Sequence, residues 1–172
     1  MIVKRIIILL ILTISSCQTL KVEPQTVELK SGVNQPVFPE KTSFVNDFEK
    51  LFTEEEVTFL ENALEHYKKN SNREIVIITL DSIPKNSLFD QYAIQLSNNW
   101  NIGEETEGNG LTVVLSKKLR RIKISTTDKT RYYLPDDFIK KVIDEKIIPE
   151  FKDDHYYDGL LLGLNEFILN WI

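Results

Sequence analysis

The first strongly patterned stretch of the chain predicts an amphipathic helix. Apolar residues recur at spacings of three and four from Val57 to Tyr67, which places them along one side of a helix. Thr53 and Glu56 have the spacing of a capping box, in which each side chain accepts a backbone N–H of the other residue. We therefore expect a helix that begins directly after Thr53 and ends near Asn70.

Two apolar stretches predict strands that are buried on both faces. Residues 74–80 read Glu-Ile-Val-Ile-Ile-Thr-Leu, and residues 111–115 read Leu-Thr-Val-Val-Leu. Such runs, rich in β-branched residues, are typical of strands with helices above and below the sheet. A third stretch, from Arg121 to Thr127, alternates between apolar and polar residues. It predicts a half-exposed strand near the sheet edge, in a hairpin with the preceding strand.

Three further segments predict helices. The stretch from Leu88 to Trp100 is amphipathic, and Ser87 with Asp90 repeats the capping arrangement. Pro135 opens a third helix, which Pro149 bends or ends, and a fourth, mostly buried helix extends from Tyr156 to the C-terminus. The order of helix, strand, helix, two strands and two helices predicts an α/β protein built as one small layered sandwich, with about four helices.

The first seventeen residues resemble a bacterial lipoprotein signal peptide. Lys4 and Arg5 precede an apolar run, which ends in the lipobox-like sequence Ile14-Ser15-Ser16-Cys17. We expect Cys17, the only cysteine, to become the lipidated first residue of the mature protein. A transmembrane anchor and an ordinary signal peptide are the alternatives, but the apolar run is well short of the roughly 20 residues that cross a bilayer.

The chain divides into three predicted parts. Residues 1–16 are the signal peptide. Residues 17–42 contain Pro24, Gly32, Pro36 and Pro39 and show no sustained periodicity, which predicts a lipidated tether; an arm that packs on the domain is the alternative. Residues 43–172 form the folded domain. Because the chain has one cysteine, this domain has no intramolecular disulfide.

Charge and missing motifs narrow the function classes. Removal of Lys4 and Arg5 with the signal peptide lowers the basic count from 21 to 19 against 26 acidic residues, a formal charge of −7, which disfavours nucleic acid as a partner. The sequence signatures of serine hydrolases, P-loop proteins, dinucleotide-binding domains and zinc proteases are absent. His66 and His155 are the only histidines and are most simply explained as surface residues. No catalytic residue is predicted.

Short motifs between Phe44 and Ile168 resemble the TPM domain family. They are Phe44-Val45-Asn46-Asp47, Trp100-Asn101-Ile102-Gly103-Glu104, Asn109-Gly110-Leu111, Leu134-Pro135-Asp136, Ile148-Pro149-Glu150-Phe151 and Tyr156-Tyr157-Asp158-Gly159. The resemblance implies a central mixed sheet covered by helices, and an extracytoplasmic, membrane-attached protein. Where family members carry a Gly-x-Gly-x-Glu segment, residues 126–131 lack both glycines, so we expect no site here that depends on positive φ in that turn.

Carboxylates at family-like positions are the candidate metal ligands. Asp47 precedes the first helix, Glu104 lies in a glycine-containing loop, and Asp136 opens the third helix. If the sheet gathers these loops at one edge, their oxygens can surround calcium, which accepts irregular oxygen cages. A structural role is the alternative, since capping and the helix dipole also favour acidic residues at helix starts.

These observations predict a protein of the bacterial cell envelope, anchored to the membrane through lipid on Cys17. We expect an interaction or accessory module with an envelope protein partner and with calcium as the candidate cofactor. The family resemblance also implies an alternative, a weak metal-dependent acid phosphatase. Five cations occur together on the predicted hairpin: Lys117, Lys118, Arg120, Arg121 and Lys123. They either protect an edge strand from pairing with other chains or contact lipid phosphates or an acidic partner.

Overall fold

The computed structural model describes residues 36–172. The predicted signal peptide, Cys17 and residues 17–35 of the predicted tether lie outside the described residues.

Four strands form one mixed sheet, as the family resemblance implies. They are β1 (Val45–Asp47), β2 (Glu74–Thr79), β3 (Gly110–Ser116) and β4 (Arg121–Thr126), in the order β1-β2-β3-β4. The first three strands are parallel, and β4 is antiparallel to β3. The hairpin and the edge position of β4 are therefore confirmed, whereas β1 was not predicted as a strand.

Helices cover both faces of the sheet. They are α1 (Glu54–Ser71), α2 (Phe89–Asn99), α3 (Asp128–Tyr133), α4 (Asp136–Val142), α5 (Ile148–Lys152) and α6 (Tyr156–Asn170). A π-helical turn, Ile143–Ile147, joins α4 to α5, so the described residues contain five helical units where about four were predicted. Both hydrogen bonds of the Thr53 capping box form, which confirms the predicted start of α1.

Local predictions differ from the structure in three places. The N-cap of α2 is Leu88, without a side-chain cap, because Asp90 instead pairs with Arg121. Pro149 does not end the helix, which continues to Lys152, but the π-helical turn Ile143–Ile147 lies directly before α5. The altered segment at residues 126–131 is not a turn. Thr127 caps it as helix α3, with the hydroxyl accepting the backbone N–H of Thr130.

The core has two layers because alternate side chains of the strands point to opposite faces. Ile75 and Ile77 face α1, α4 and α6, where the largest buried side chains include Phe167 and Trp171. Val76 and Ile78 face α2 and its buried residues, which are Phe89, Tyr92, Ala93 and Leu96. Continuous burial of β2 and β3 thus confirms the prediction drawn from their apolar runs.

Residues 36–42 pack on the domain as the predicted alternative arm. Phe38 lies against Tyr92, with ring centroids 5.2 Å apart, and the indole N–H of Trp100 donates to the Pro39 carbonyl at 2.8 Å. Lys41 pairs with Glu74. The folded unit therefore begins before residue 43.

None of the helices within residues 36–172 is both long enough and apolar enough to cross a membrane.

Candidate functional site

Asp47, the first predicted metal ligand, closes the turn after β1. Its carboxylate accepts the backbone N–H groups of Leu51 and Phe52, both at 2.9 Å, and the hydroxyl of Thr79. Thr79 in turn accepts the backbone N–H of Glu49 at 2.9 Å. The carboxylate is therefore already satisfied by three donors at the carboxyl edge of the parallel strands.

Glu104 and Asp136 lie away from Asp47. Glu104 is exposed and directly follows Gly103, whose N–H donates to Glu74 at the start of β2. Asp136 follows α3 and lies 3.5 Å from the Arg131 guanidinium. Since β2 extends over Glu74–Thr79, its ends are separated by roughly 16 Å at 3.3 Å per residue, so Asp47 and Glu104 lie at opposite edges of the sheet.

The structure thus does not bring the three predicted ligands together. Within residues 36–172 there is no group of three or more His, Cys, Asp or Glu side chains suited to hold a metal ion. Calcium binding stays a prediction from the sequence.

A buried carboxylate that the sequence analysis did not single out organises the amino edge of the sheet. Glu74 is 2% exposed and accepts hydrogen bonds from Lys41 at 2.9 Å, Lys68 at 3.2 Å and the backbone N–H of Gly103 at 2.7 Å. Burial alone would raise the pKa of Glu74. The hydrogen bonds from Lys41 and Gly103 and the charges of both lysines outweigh it and lower the pKa below its usual range. The sequence signal that could have pointed to Glu74 is a charged residue at the start of an apolar strand.

A concave surface opens at the other edge, at the carboxyl ends of the parallel strands. It has a volume of about 550 Å³ and lies between the β3–β4 hairpin and the α5–α6 segment. We call it the carboxyl-edge groove. The hairpin contributes Arg120, Arg121 and Ile122, and α5 contributes Ile148, Phe151 and Lys152.

Two of the cations around the carboxyl-edge groove are already paired. Arg121 forms an ion pair with Asp90 at 2.7 Å and lies over the ring of Phe89. Lys117, next to the groove, pairs with Asp154 at 2.7 Å, and this hydrogen bond raises the pKa of Lys117. Asp154 also lines the groove, but its charge is balanced by this lysine.

Arg120 and Lys152 differ from these residues. Both are exposed, and within residues 36–172 no carboxylate lies at ion-pair distance from either of them. The turn that carries Arg120 is fixed, since Glu49 accepts the backbone N–H groups of Lys117 and Lys118 at 2.9 and 2.8 Å. The groove therefore presents two positive charges available to a ligand.

An aromatic pair forms one side of the carboxyl-edge groove. The rings of Phe151 and Tyr156 lie 4.6 Å apart at 36°, and the Lys117 ammonium lies 5.2 Å from the centre of the Tyr156 ring. Phe151 also contacts Gly159, where a Cβ would come within 2.9 Å of its ring. These contacts hold the apolar side of the groove in place.

A smaller hollow of about 240 Å³ adjoins the groove and shares Asp154 and Tyr156 with it. It also contains His155, whose Nδ1 lies 3.3 Å from the carboxylate of Glu150.

The fold and the groove define a small α/β domain with a concave surface at the carboxyl end of the parallel strand β3, beside its hairpin with β4. The chain belongs to the TPM domain family, which matches residues 45–168. No curated protein matches the sequence significantly.

Solved structures of bacterial proteins share the fold. The N-terminal domain of a protein from P. gingivalis is 26% identical, with a TM-score of 0.66 over 74% of this chain and 81% of that one. BA42 from the psychrophilic bacterium Bizionia argentinensis is 21% identical, with a TM-score of 0.60 over 72% and 83%. The N-terminal domain of cg2496 from Corynebacterium glutamicum is 15% identical, with a TM-score of 0.55 over 78% and 85%. The last two likenesses concern the fold alone.

Proposed function

We propose that this protein is a lipoprotein of the bacterial cell envelope whose TPM domain is an interaction module for an envelope protein partner. The lipid on Cys17 holds the domain at the membrane, and the partner binds in the carboxyl-edge groove. The lipobox-like sequence at residues 14–17 supports the anchor.

The observation that carries the interaction role is the composition of the groove. It combines an apolar side, formed by Ile148 and Phe151, with the exposed cations Arg120 and Lys152. A concave apolar surface with a few convergent polar groups is the usual form of a binding site. The groove also lies beyond the carboxyl end of the parallel strand β3, between the β3–β4 hairpin and α5.

The phosphatase alternative gains no comparable support. Metal-assisted phosphoryl transfer needs an ion to clamp the phosphoryl oxygens and a positioned base or nucleophile. The part of the chain that the structure describes holds no group of three potential metal ligands. His155, next to the groove, lies 3.3 Å from Glu150, and no group of potential metal ligands accompanies this pair within residues 36–172. These features favour binding over catalysis.

The anchor is tested by the mass of the mature protein and by fractionation of a Cys17→Ser variant. We expect a lipidated N-terminal cysteine in the native protein and release of the variant from the membrane fraction. An unprocessed N-terminus, or an unmodified Cys17 on a freely diffusing protein, would overturn the anchor.

The interaction role is tested by photo-crosslinking in intact cells. A photoreactive amino acid at position 152 lies on the groove, whereas one at position 69 lies on the exposed end of α1, outside the groove lining, and both positions are exposed. We expect a discrete protein adduct from position 152 and none from position 69. Equal labelling from the two positions, or no adduct from position 152, contradicts the proposal.

A further inference from the structure

We infer that the carboxyl-edge groove recognises an acidic peptide segment that also carries an apolar side chain. The inference rests on the proposed function and names the chemistry of its partner. It places ligand carboxylates at Arg120 and Lys152, and a ligand side chain against Ile148 and Phe151.

Two cations of the groove have no carboxylate at ion-pair distance within residues 36–172. Arg120 and Lys152 line the groove from opposite sides, one on the hairpin and the other on α5. The other charges at the groove are balanced, since Arg121 pairs with Asp90 and Asp154 pairs with Lys117. The groove is thus locally positive in a chain whose formal charge is −5. Complementary charge steers a partner to a surface and fixes its orientation.

Apolar side chains line the groove together with the cations. Ile122, Ile148 and Phe151 line the groove and are only partly buried, and Tyr156 packs against the Phe151 ring. An apolar ligand side chain placed here would complete the burial of these residues, which favours binding in proportion to the area covered. A ligand that offers charge alone leaves this surface in water.

Together the two features favour a peptide over other anions. A volume of about 550 Å³ is within the range of sites for small organic ligands and exceeds what a single phosphate fills. A nucleic acid would bring many phosphates to a chain that is acidic outside the groove. A short flexible peptide that contains both acidic and apolar residues brings both kinds of side chain to one surface.

The test uses the purified full-length protein and fluorescence anisotropy of labelled hexapeptides. The probe alternates glutamate with leucine. One control peptide replaces glutamate with glutamine, and the other replaces leucine with serine. Competition with inorganic phosphate and binding to vesicles of anionic phospholipid identify other anions, and sedimentation of the protein alone identifies self-association.

Charge variants locate the binding. The double variant Arg120→Ala/Lys152→Ala removes the two available cations. The matched control Lys69→Ala/Lys141→Ala removes two exposed cations that also have no ion-pair partner within residues 36–172. Thermal unfolding of both variants verifies that they fold.

We expect the glutamate–leucine probe to bind at least about fivefold tighter than either control peptide, and less tightly as salt is raised. Loss of Arg120 and Lys152 should weaken it by about fivefold or more, against less than about twofold for the control variant. Equal affinity for the glutamine peptide, equal losses in the two variants, displacement by phosphate alone, preference for vesicles, or a groove-dependent dimer would each overturn the inference.

The two proposals fail separately. If position 152 still captures a discrete protein in cells while no acidic peptide binds, the interaction role stands and the ligand chemistry is wrong. If the peptide binds at the groove but no cellular adduct forms, the recognition chemistry stands and the interaction role fails.

Discussion

Asp47 offers the sharpest test, because a structural role and a metal-binding role predict different responses to calcium. Its carboxylate accepts two backbone N–H groups and the Thr79 hydroxyl. Asp47→Ala removes all three hydrogen bonds. Hydrogen bonds to a charged group contribute about 1.5–3 kcal/mol each, and water at this half-buried turn replaces part of the loss. We expect the free energy of unfolding to fall by about 2–4 kcal/mol.

Urea unfolding followed by circular dichroism measures this loss. If the free energy of unfolding falls by about 2 kcal/mol per molar urea, the urea concentration at the midpoint of unfolding should drop by about 1–2 M. Asp47→Asn retains one acceptor oxygen and should lose about half as much. Asp136→Ala is the matched control, since Asp136 is exposed and contacts only the Arg131 guanidinium at 3.5 Å; we expect a change within about 0.5 kcal/mol.

The effect of calcium on the stability of Asp47→Ala distinguishes a capping role from a metal-binding role. A capping role makes the loss in Asp47→Ala the same with calcium or with chelator. A ligand role makes it larger with calcium, because an ion that binds only the folded protein stabilises it. A loss below about 0.5 kcal/mol, or one that appears only with calcium, would refute the reasoning.

Three further predictions test individual contacts. Thr53→Ala removes the capping box of α1 and should cost about 1 kcal/mol in urea unfolding, whereas Thr53→Ser should cost little. Gly163→Ala brings a Cβ within 2.5 Å of the Ile147 side chain and should cost about 1–3 kcal/mol, with partial recovery when combined with Ile147→Val; an unchanged urea midpoint in the single variant contradicts the packing. The pKa of Glu74 is lowered by its lysine partners, so its contribution to stability is complete above the usual glutamate range and is lost as the pH falls through the lowered pKa. In urea unfolding measured at decreasing pH, the free energy of unfolding should therefore fall less steeply for Glu74→Gln than for the native chain. Equal slopes for the two proteins would contradict this prediction.

Local signals predicted the elements that local contacts stabilise. The capping box at Thr53 and the apolar runs of β2 and β3 carry their structure in neighbouring residues, and these elements formed as expected. β1 has three residues and exists through its pairing with β2, where Val45 lies opposite Ile77. A strand this short has no period of its own to detect.

The handedness of the chain crossovers could also not be predicted from the sequence. Both crossovers, from β1 to β2 and from β2 to β3, move the same way across the sheet, yet α1 and α2 pack on opposite faces. The two crossovers therefore have opposite hands, and one is left-handed. Since nearly all crossovers between parallel strands are right-handed, a prediction from general rules places both helices on one face.

The carboxyl-edge groove escaped prediction for a different reason. Its cations Arg120 and Lys152 are distant in sequence, and only the fold brings them to one surface. The sequence shows that the hairpin cations form a cluster, but it does not show which of them form ion pairs. Arg121 turns to Asp90, whereas Arg120 has no carboxylate at ion-pair distance within residues 36–172. Which charge is available to a ligand depends on tertiary contacts that periodicity does not report.

The two edges of the sheet, at the amino and at the carboxyl ends of the parallel strands, differ in structure. At the amino edge, a Cβ on Gly110 would come within 2.8 Å of the Cα of Gly103, and the Thr127 hydroxyl donates to the Gly108 carbonyl. Thr127 belongs to the segment that lacks the family glycines, and here it caps α3 and fastens the neighbouring loop. Backbone contacts and the buried Glu74 cluster hold this edge together, and the lysines of the cluster already have a carboxylate partner. We expect binding at the carboxyl edge, where the exposed cations Arg120 and Lys152 line the groove.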